Sequence, residues 1–227
     1  VPKTARPGLY RLMWVAVVAV LNWPVAFGCA YVAGNSIWVA PTVSLAFAGR
    51  AIFAWRFRSA LAPVLAAIGL IGQAIAITAS LSGHPWQTDT HMLFFALMAT
   101  LVVLVDVRAL IAAATLVVVH HLSLAVAFPA LIYPDAGLVQ NVARTLMHGA
   151  ILGMETAALI YAVVVRRKQE NAALRESEAR AEAAEEAQKA REAAEAALAD
   201  AQVQRSQLSD AMATLEAAQE TAKTEAE

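Results

Sequence analysis

Hydrophobic positions fall into six long runs, at about 8–33, 37–56, 60–82, 90–106, 108–129 and 140–165. After the last run the pattern changes kind. A bilayer core needs roughly 20 apolar residues per helix, so each run predicts one spanning helix. Hydrocarbon offers no hydrogen bonds, so each span must satisfy its own backbone. The breaks are short and carry helix-interrupting residues: Gly34-Asn35, Ser59 to Pro63, Gly83 to Pro85, and Pro129 to Gly137. Only "VDVR" (105–108) divides the fourth and fifth runs, which predicts a tight turn capped by Asp106 and Arg108. Pro24 in "NWP" (22–24) predicts a kink in the first helix. Basic residues precede the first run, as in a signal peptide. The run is longer than such a segment, shows no clear small-residue cleavage site and is followed by further runs, so it reads as a span.

From about 167 to 227 the chain is rich in Ala, Glu, Gln, Lys and Arg and has no aromatic residue. Neither Gly nor Pro follows Gly153, so the sixth helix is expected to continue unbroken. A heptad seam can be laid through Leu198, Ala201, Leu208, Met212 and Leu215, with Arg191 and Arg205 loosening it. A long helix with an Ala stripe is expected to pair, giving a homodimer; the plainer reading is a single solvated helix. The expected fold class is therefore all-α. An integral-membrane bundle of six transmembrane helices (1–166) leads into a C-terminal cytoplasmic coiled coil (167–227) continuous with the sixth span.

Basic residues orient the spans. Lys3, Arg6 and Arg11 precede or open the first, Arg50, Arg56 and Arg58 mark the second connection, and Arg108 the fourth. Arg166, Arg167 and Lys168 follow the sixth, whereas the opposite connections offer little beyond Arg144. Both termini are thus expected in the cytoplasm, with "GHPWQTDTHMLFF" (83–95) on the outer side. Tyr10, Trp23, Trp38, Trp55, Trp86 and Tyr133 fit an interfacial aromatic belt.

The net charge of -1 averages over these two unlike halves, so it identifies no partner, and no nucleic-acid partner is expected. The single cysteine, Cys29, leaves no disulfide framework and no CxxC metal motif. The histidines carry more. All five (His84, His91, His120, His121 and His148) lie in or beside the apolar runs. At 1.5 Å per residue, His91 falls ~22 Å from the cytoplasmic end of its helix, His120 and His121 ~19 Å, and His148 ~27 Å. Three helices thus bring imidazoles to one slab in the outer half of the bilayer, with His84 higher, at the outer surface. Asp89 precedes His91 by two residues, and Glu155 follows His148 by seven, on the same helical face.

An ionisable side chain inside a bilayer is costly, and several imidazoles with a carboxylate suit a transition metal. The candidate ligands are His91, His120, His121, His148, Asp89 and Glu155, with His84 and Met154 at the margin. Copper and zinc are the ions the set suits, Met92, Met147 and Met154 keeping copper in view as soft thioethers. A bis-histidine haem b is the alternative cofactor, and an interhelical hydrogen-bonded cluster is the plainest reading of any one of these histidines. His120 and His121 point ~100° apart on a helix, so one of them is expected to be structural.

The blocks "GHPWQTDTHMLFF", "VDVRALIAAA", "HHLSLAVAFPALIYP" and "RTLMHGAILGMETAALI", in this order, resemble the six-helix sensory membrane region of certain bacterial methyl-accepting chemotaxis proteins. The likeness covers roughly residues 10–166. By resemblance the matching polar positions are His84, Gln87, Asp89, His91, His120, His121, His148 and Glu155. The family pattern more often has Tyr at Leu93, Trp at Val107 and Asn at Ala125. The resemblance implies a multi-pass sensor of the bacterial inner (plasma) membrane, with a cytoplasmic signalling module or kinase complex beyond residue 227. No kinase, cyclase or protease motif occurs, so a non-enzymatic role is expected. Two other classes compete. A cytochrome b-like, quinone-interacting carrier would need cofactors at two depths, and the inner half holds no histidine. A metal transporter would need the polar path to continue to the cytoplasmic side.

Overall fold

The computed structural model describes residues 6–128 and 137–224. Lys3, Tyr133 and most of the Pro129–Gly137 break lie outside them. All regular structure among the described residues is helical: α1 Arg6–Val32, α2 Val39–Phe57, α3 Ala62–Ser80, α4 Met92–Thr100, α5 Val107–Ala127 and α6 Leu138–Thr224. Short 3-10 turns at Pro85–Gln87 and Asp89–His91 lead into α4, and another at Leu101–Leu104 follows it. The chain divides into two compact units, Val1–Lys168 and Gln169–Glu227.

In the first unit, α3 is the most enclosed helix and packs against α1, α2 and α5. Small residues make this possible, since little hydrophobic force separates helix from lipid and close backbone approach must supply the attraction. Ala48, Ala51 and Ala54 of α2 and Ala66, Gly69 and Gly72 of α3 are all buried where the two helices pack. At Gly69 an added Cβ would lie 2.8 Å from the Phe47 carbonyl oxygen and 2.9 Å from the Ala51 nitrogen, so only glycine fits. Larger side chains, among them Leu70, Ile71, Met98, Leu101 and Leu110, fill the core.

Buried polar groups tie the helices together. Ser44 Oγ donates to Gln73 Oε1, while Gln73 Nε2 donates 2.9 Å to the Ser44 carbonyl. Asn35 Nδ2 fastens the α1–α2 turn to the end of α3 through the carbonyls of Ser80 (3.0 Å) and Ser82 (2.9 Å).

Among the described residues, five segments are long and apolar enough to cross a membrane: Gly8–Val32, Ala62–Ser80, Pro85–Leu104, Val107–Ala127 and Leu138–Ala218. The 19-residue α2 is not among them, because Arg50, Arg56, Thr42, Ser44 and Gly49 lower its hydropathy. Its burial comes from packing against α1 and α3. Pro24 lies inside α1 without ending it, and the neighbouring Asn22 Nδ2 donates 2.8 Å to the Val18 carbonyl. The fourth span is the other departure from a simple helix. Pro85 and two 3-10 turns open it, and Val105 closes it in the left-handed region (φ 53°). Asp106 then caps α5, its carboxylate accepting from the Arg108 backbone N–H at 2.8 Å and from Arg108 Nη2 at 2.8 Å.

The second unit is one solvated helix. Its surface carries i,i+4 ion pairs, Glu176–Arg180, Glu185–Lys189 (2.7 Å) and Arg191–Glu195 (3.0 Å). Leu198, Leu208, Met212 and Leu215 are exposed along one side.

Candidate functional site

Local structure in "GHPWQTDTH" is organised around Gln87. Its buried side chain accepts from the Gly83 N–H at 3.1 Å, Gly83 taking the positive φ (77°) the turn needs. Its carbonyl accepts twice, from Thr90 Oγ1 and from His91 Nδ1, each at 2.9 Å. The 3-10 turn thereby fixes His91 at the mouth of α4 with its ring pointing inward. On α5, Leu110, Ala113, Val117 and His121 share the buried face, and His121 Nδ1 donates 2.9 Å to the Val117 carbonyl. A carbonyl can only accept, so both rings carry their proton on Nδ1 and present Nε2 as the lone-pair atom. Backbone-held imidazoles of this kind are the usual arrangement for metal ligands.

His148 of α6 completes a triangle. Ring centroids are 5.8 Å apart for His91 and His121, 6.0 Å for His91 and His148, and 6.1 Å for His121 and His148. The three rings border a cavity of about 210 Å³, walled otherwise by Phe94, Phe95, Val117, Val118, Leu122, Thr145, Leu146, Gly149 and Leu152. Apart from the imidazoles, the polar side chain in this wall is Thr145, whose hydroxyl donates 2.8 Å to the Asn141 carbonyl.

The remaining candidates stand outside the lining. His120 is half-buried on the adjacent face of α5, stacked on Phe94 at 5.9 Å and edge-on to His121 at 5.2 Å. His84 caps the first 3-10 turn, its Nδ1 accepting from the Trp86 N–H at 3.2 Å, and its ring meets Trp86 edge to face. Asp89 is exposed within its turn. Glu155 is half-buried, with Oε2 enclosed and without a hydrogen-bond partner. Met92, Met147 and Met154 are 65%, 64% and 68% exposed and do not border the cavity. Among the described residues, no three His, Cys, Asp or Glu side chains converge closely enough to hold an ion as they stand.

Two polar residues on the same face of α6 escape a histidine-centred reading. Thr145 lies three residues before His148, and Asn141 seven before it. Asn141 is wholly buried, and neither its Nδ2 nor its Oδ1 has a partner. The spacing 141, 145, 148, 152 is the signal that would have found them, since it marks one helical stripe. No protein-family profile, curated protein or solved structure matches the chain.

Proposed function

We propose that the protein is a membrane-embedded sensor that binds a transition metal ion through His91, His121 and His148 and passes the state of that site along α6. The observation that carries this reading is the triangle of imidazoles from the 3-10 turn that opens α4, from α5 and from α6, at 5.8–6.1 Å between ring centroids. Three imidazoles on one ion at about 2.0–2.1 Å would have centroids roughly 5–5.5 Å apart. A contraction of under 1 Å, within reach of side-chain rotation, therefore closes the set. Copper and zinc suit an imidazole site. The cavity volume favours an ion over a haem, since 210 Å³ is below the roughly 300–1,000 Å³ typical of sites for drug-sized molecules.

The arrangement also suits signalling. One ligand comes from each of three helices, so a change in the ion shifts the balance of forces on α6, and packed helices respond by small discrete movements. Both termini lie in the cytoplasm of a bacterial inner membrane, and residues 167–227 pair with a second copy through Leu198, Leu208, Met212 and Leu215. The likeness of the four blocks, three of them histidine-bearing, to chemotaxis receptors supports a transducer role without catalysis, with a kinase complex as the downstream partner.

Elemental analysis and an optical spectrum of the purified full chain test the cofactor. About one transition-metal ion per chain is expected, lost in His91→Ala, His121→Ala and His148→Ala and retained in His84→Ala and His120→Ala. Neither metal nor haem in the wild-type protein refutes it. Disulfide crosslinking of Leu208→Cys across two chains tests the dimer.

A further inference from the structure

Three of the apolar segments end at a second cavity, far in sequence from the histidines. Gly8 opens the first segment, Ala62 opens the one formed by α3, and Leu104 closes the one that contains α4. All three border a space of about 320 Å³. Where three spans end together, hydrocarbon gives way to the headgroup layer. Leu12 and Leu104, both buried in the core, supply apolar wall, and Arg11 and Arg58 are its basic wall residues. Among the described residues, no Asp or Glu borders it. Asp106, two residues beyond Leu104, is engaged by Arg108, whose Nη2 also donates 3.4 Å to the carbonyl of Ala60 in the wall. That carboxylate is already matched, so the cavity keeps a positive excess. Arg58 is held there under strain: glycine would take its φ of 48° freely. An arginine kept in a left-handed turn beside a cavity points to a use for its guanidinium.

We infer that this cavity binds the phosphate ester of an anionic membrane phospholipid, Arg11 and Arg58 neutralising the headgroup while the acyl chains follow the apolar ends of the spans. The inference needs the chain to sit in a bilayer and is independent of the histidine site. Arginine presents planar, paired donors that match phosphate oxygens. Basic pockets between spanning helices are a recurring way of recognising anionic headgroups. A zwitterionic headgroup would bring an ammonium for which the wall offers no carboxylate, so a net negative headgroup fits better. The volume falls within the roughly 300–1,000 Å³ typical of small-molecule sites. Inorganic phosphate carries the same charged group but would leave the apolar wall facing water, which acyl chains would cover.

Phosphatidylglycerol and phosphatidylcholine with the same acyl chains are the probes, titrated into the full chain in detergent and counted by native mass spectrometry. About one phosphatidylglycerol per chain should be retained, roughly tenfold or more tightly than phosphatidylcholine. Arg11→Gln combined with Arg58→Gln should weaken its binding roughly tenfold or more. Arg56→Gln combined with Lys168→Gln removes equal charge outside the wall and should leave binding unchanged. Ala60→Trp keeps both arginines and fills the cavity from an exposed wall position, so it should weaken binding while circular dichroism shows the wild-type helical content. Equal losses in the two double variants would mean attraction to the basic surface at large and would overturn the site. Uptake of several lipids without saturation, equal retention of the two lipids, or unchanged binding in Ala60→Trp overturns it as well. Inorganic phosphate that displaces the lipid at millimolar concentration assigns the cavity to a free anion and overturns the lipid as its occupant.

Discussion

Arg167, where α6 leaves its apolar segment, donates from Nη2 to the carbonyl of Val105 at 2.9 Å, bridging 62 residues of sequence. Val105 is the left-handed residue of the turn between α4 and α5, so one side chain of α6 grips the turn that joins the two other histidine-bearing helices. A charged donor to a partly buried carbonyl contributes about 1–2 kcal/mol, the lower end being apt where water competes. Arg167→Ala should therefore lower thermal stability by about that much and raise the mobility of a spin label at Lys168, while metal content stays unchanged. Equal label mobility in variant and wild type would show that the contact does not hold the helix.

Among the described residues, the two non-glycine residues with positive φ should respond in opposite directions to glycine. Arg58 (φ 48°) caps α2, its N–H donating 3.1 Å to the Ala54 carbonyl, and its side chain is exposed. The left-handed conformation disfavours a residue with a Cβ by roughly 1–2 kcal/mol, and glycine recovers most of that at a helix C-terminus. Arg58→Gly should raise stability by about 1 kcal/mol. Val105 (φ 53°) is 6% exposed and belongs to the core. Its buried side chain contributes about 1.5–3 kcal/mol, which exceeds the strain relieved, so Val105→Gly should be destabilising. Denaturation of both variants in one detergent decides the signs.

Hydropathy and breakers made most of the fold legible, because each span must be long, apolar and helical, and Gly34, Pro63, Gly83 and Asp106 mark their ends. They could not show that α2 owes its burial to packing, since Arg50, Arg56 and the polar residues beside them lower its hydropathy whichever neighbours its alanines meet. The candidate site was legible as a set of histidines and not as a geometry. "LVVVHHLSLAVA" is apolar all round, so nothing in it says whether His120 or His121 faces inward. That choice is made by α3 and α4, which bury Ala113, Val117 and His121 together. Asp89 reads as a ligand by its spacing from His91, yet the 3-10 turn there points neighbouring side chains differently from an α-helix.

Gly69 and Gly72 offer a contrast in what a methyl group would strike. At Gly69 it meets backbone atoms of α2, which can yield only if the whole helix moves. At Gly72 it meets the Phe47 ring. Overpacking of this kind destabilises by about 1–3 kcal/mol, so both Gly69→Ala and Gly72→Ala should lower the melting temperature. Adding Phe47→Ala should rescue Gly72→Ala in part, because the obstructing ring is gone. It should not rescue Gly69→Ala, whose obstruction is the Phe47 carbonyl and the Ala51 nitrogen. Equal rescue of both would mean that the α2–α3 approach is looser than described.

Acid sensitivity should trace to Asp106. Hydrogen bonding from the Arg108 side chain, opposed by burial and reinforced by the Arg108 backbone N–H, holds its carboxyl below the ordinary aspartate range. The folded state thus binds this proton less readily than the unfolded chain. The corresponding stability is complete above the unfolded aspartate value of about 3.9 and is lost as pH falls through the lower, folded value. Asp106→Asn keeps an N-cap acceptor of similar quality and discards the charge. The variant should therefore melt below the wild type at pH 7 and by a smaller margin at pH 3. Asp106→Ala, which also loses the cap, should be destabilised by a further ~1 kcal/mol at both pH values. A wild-type minus Asp106→Asn difference that grows toward acid would have the wrong sign and would place the carboxylate's stabilising partner elsewhere.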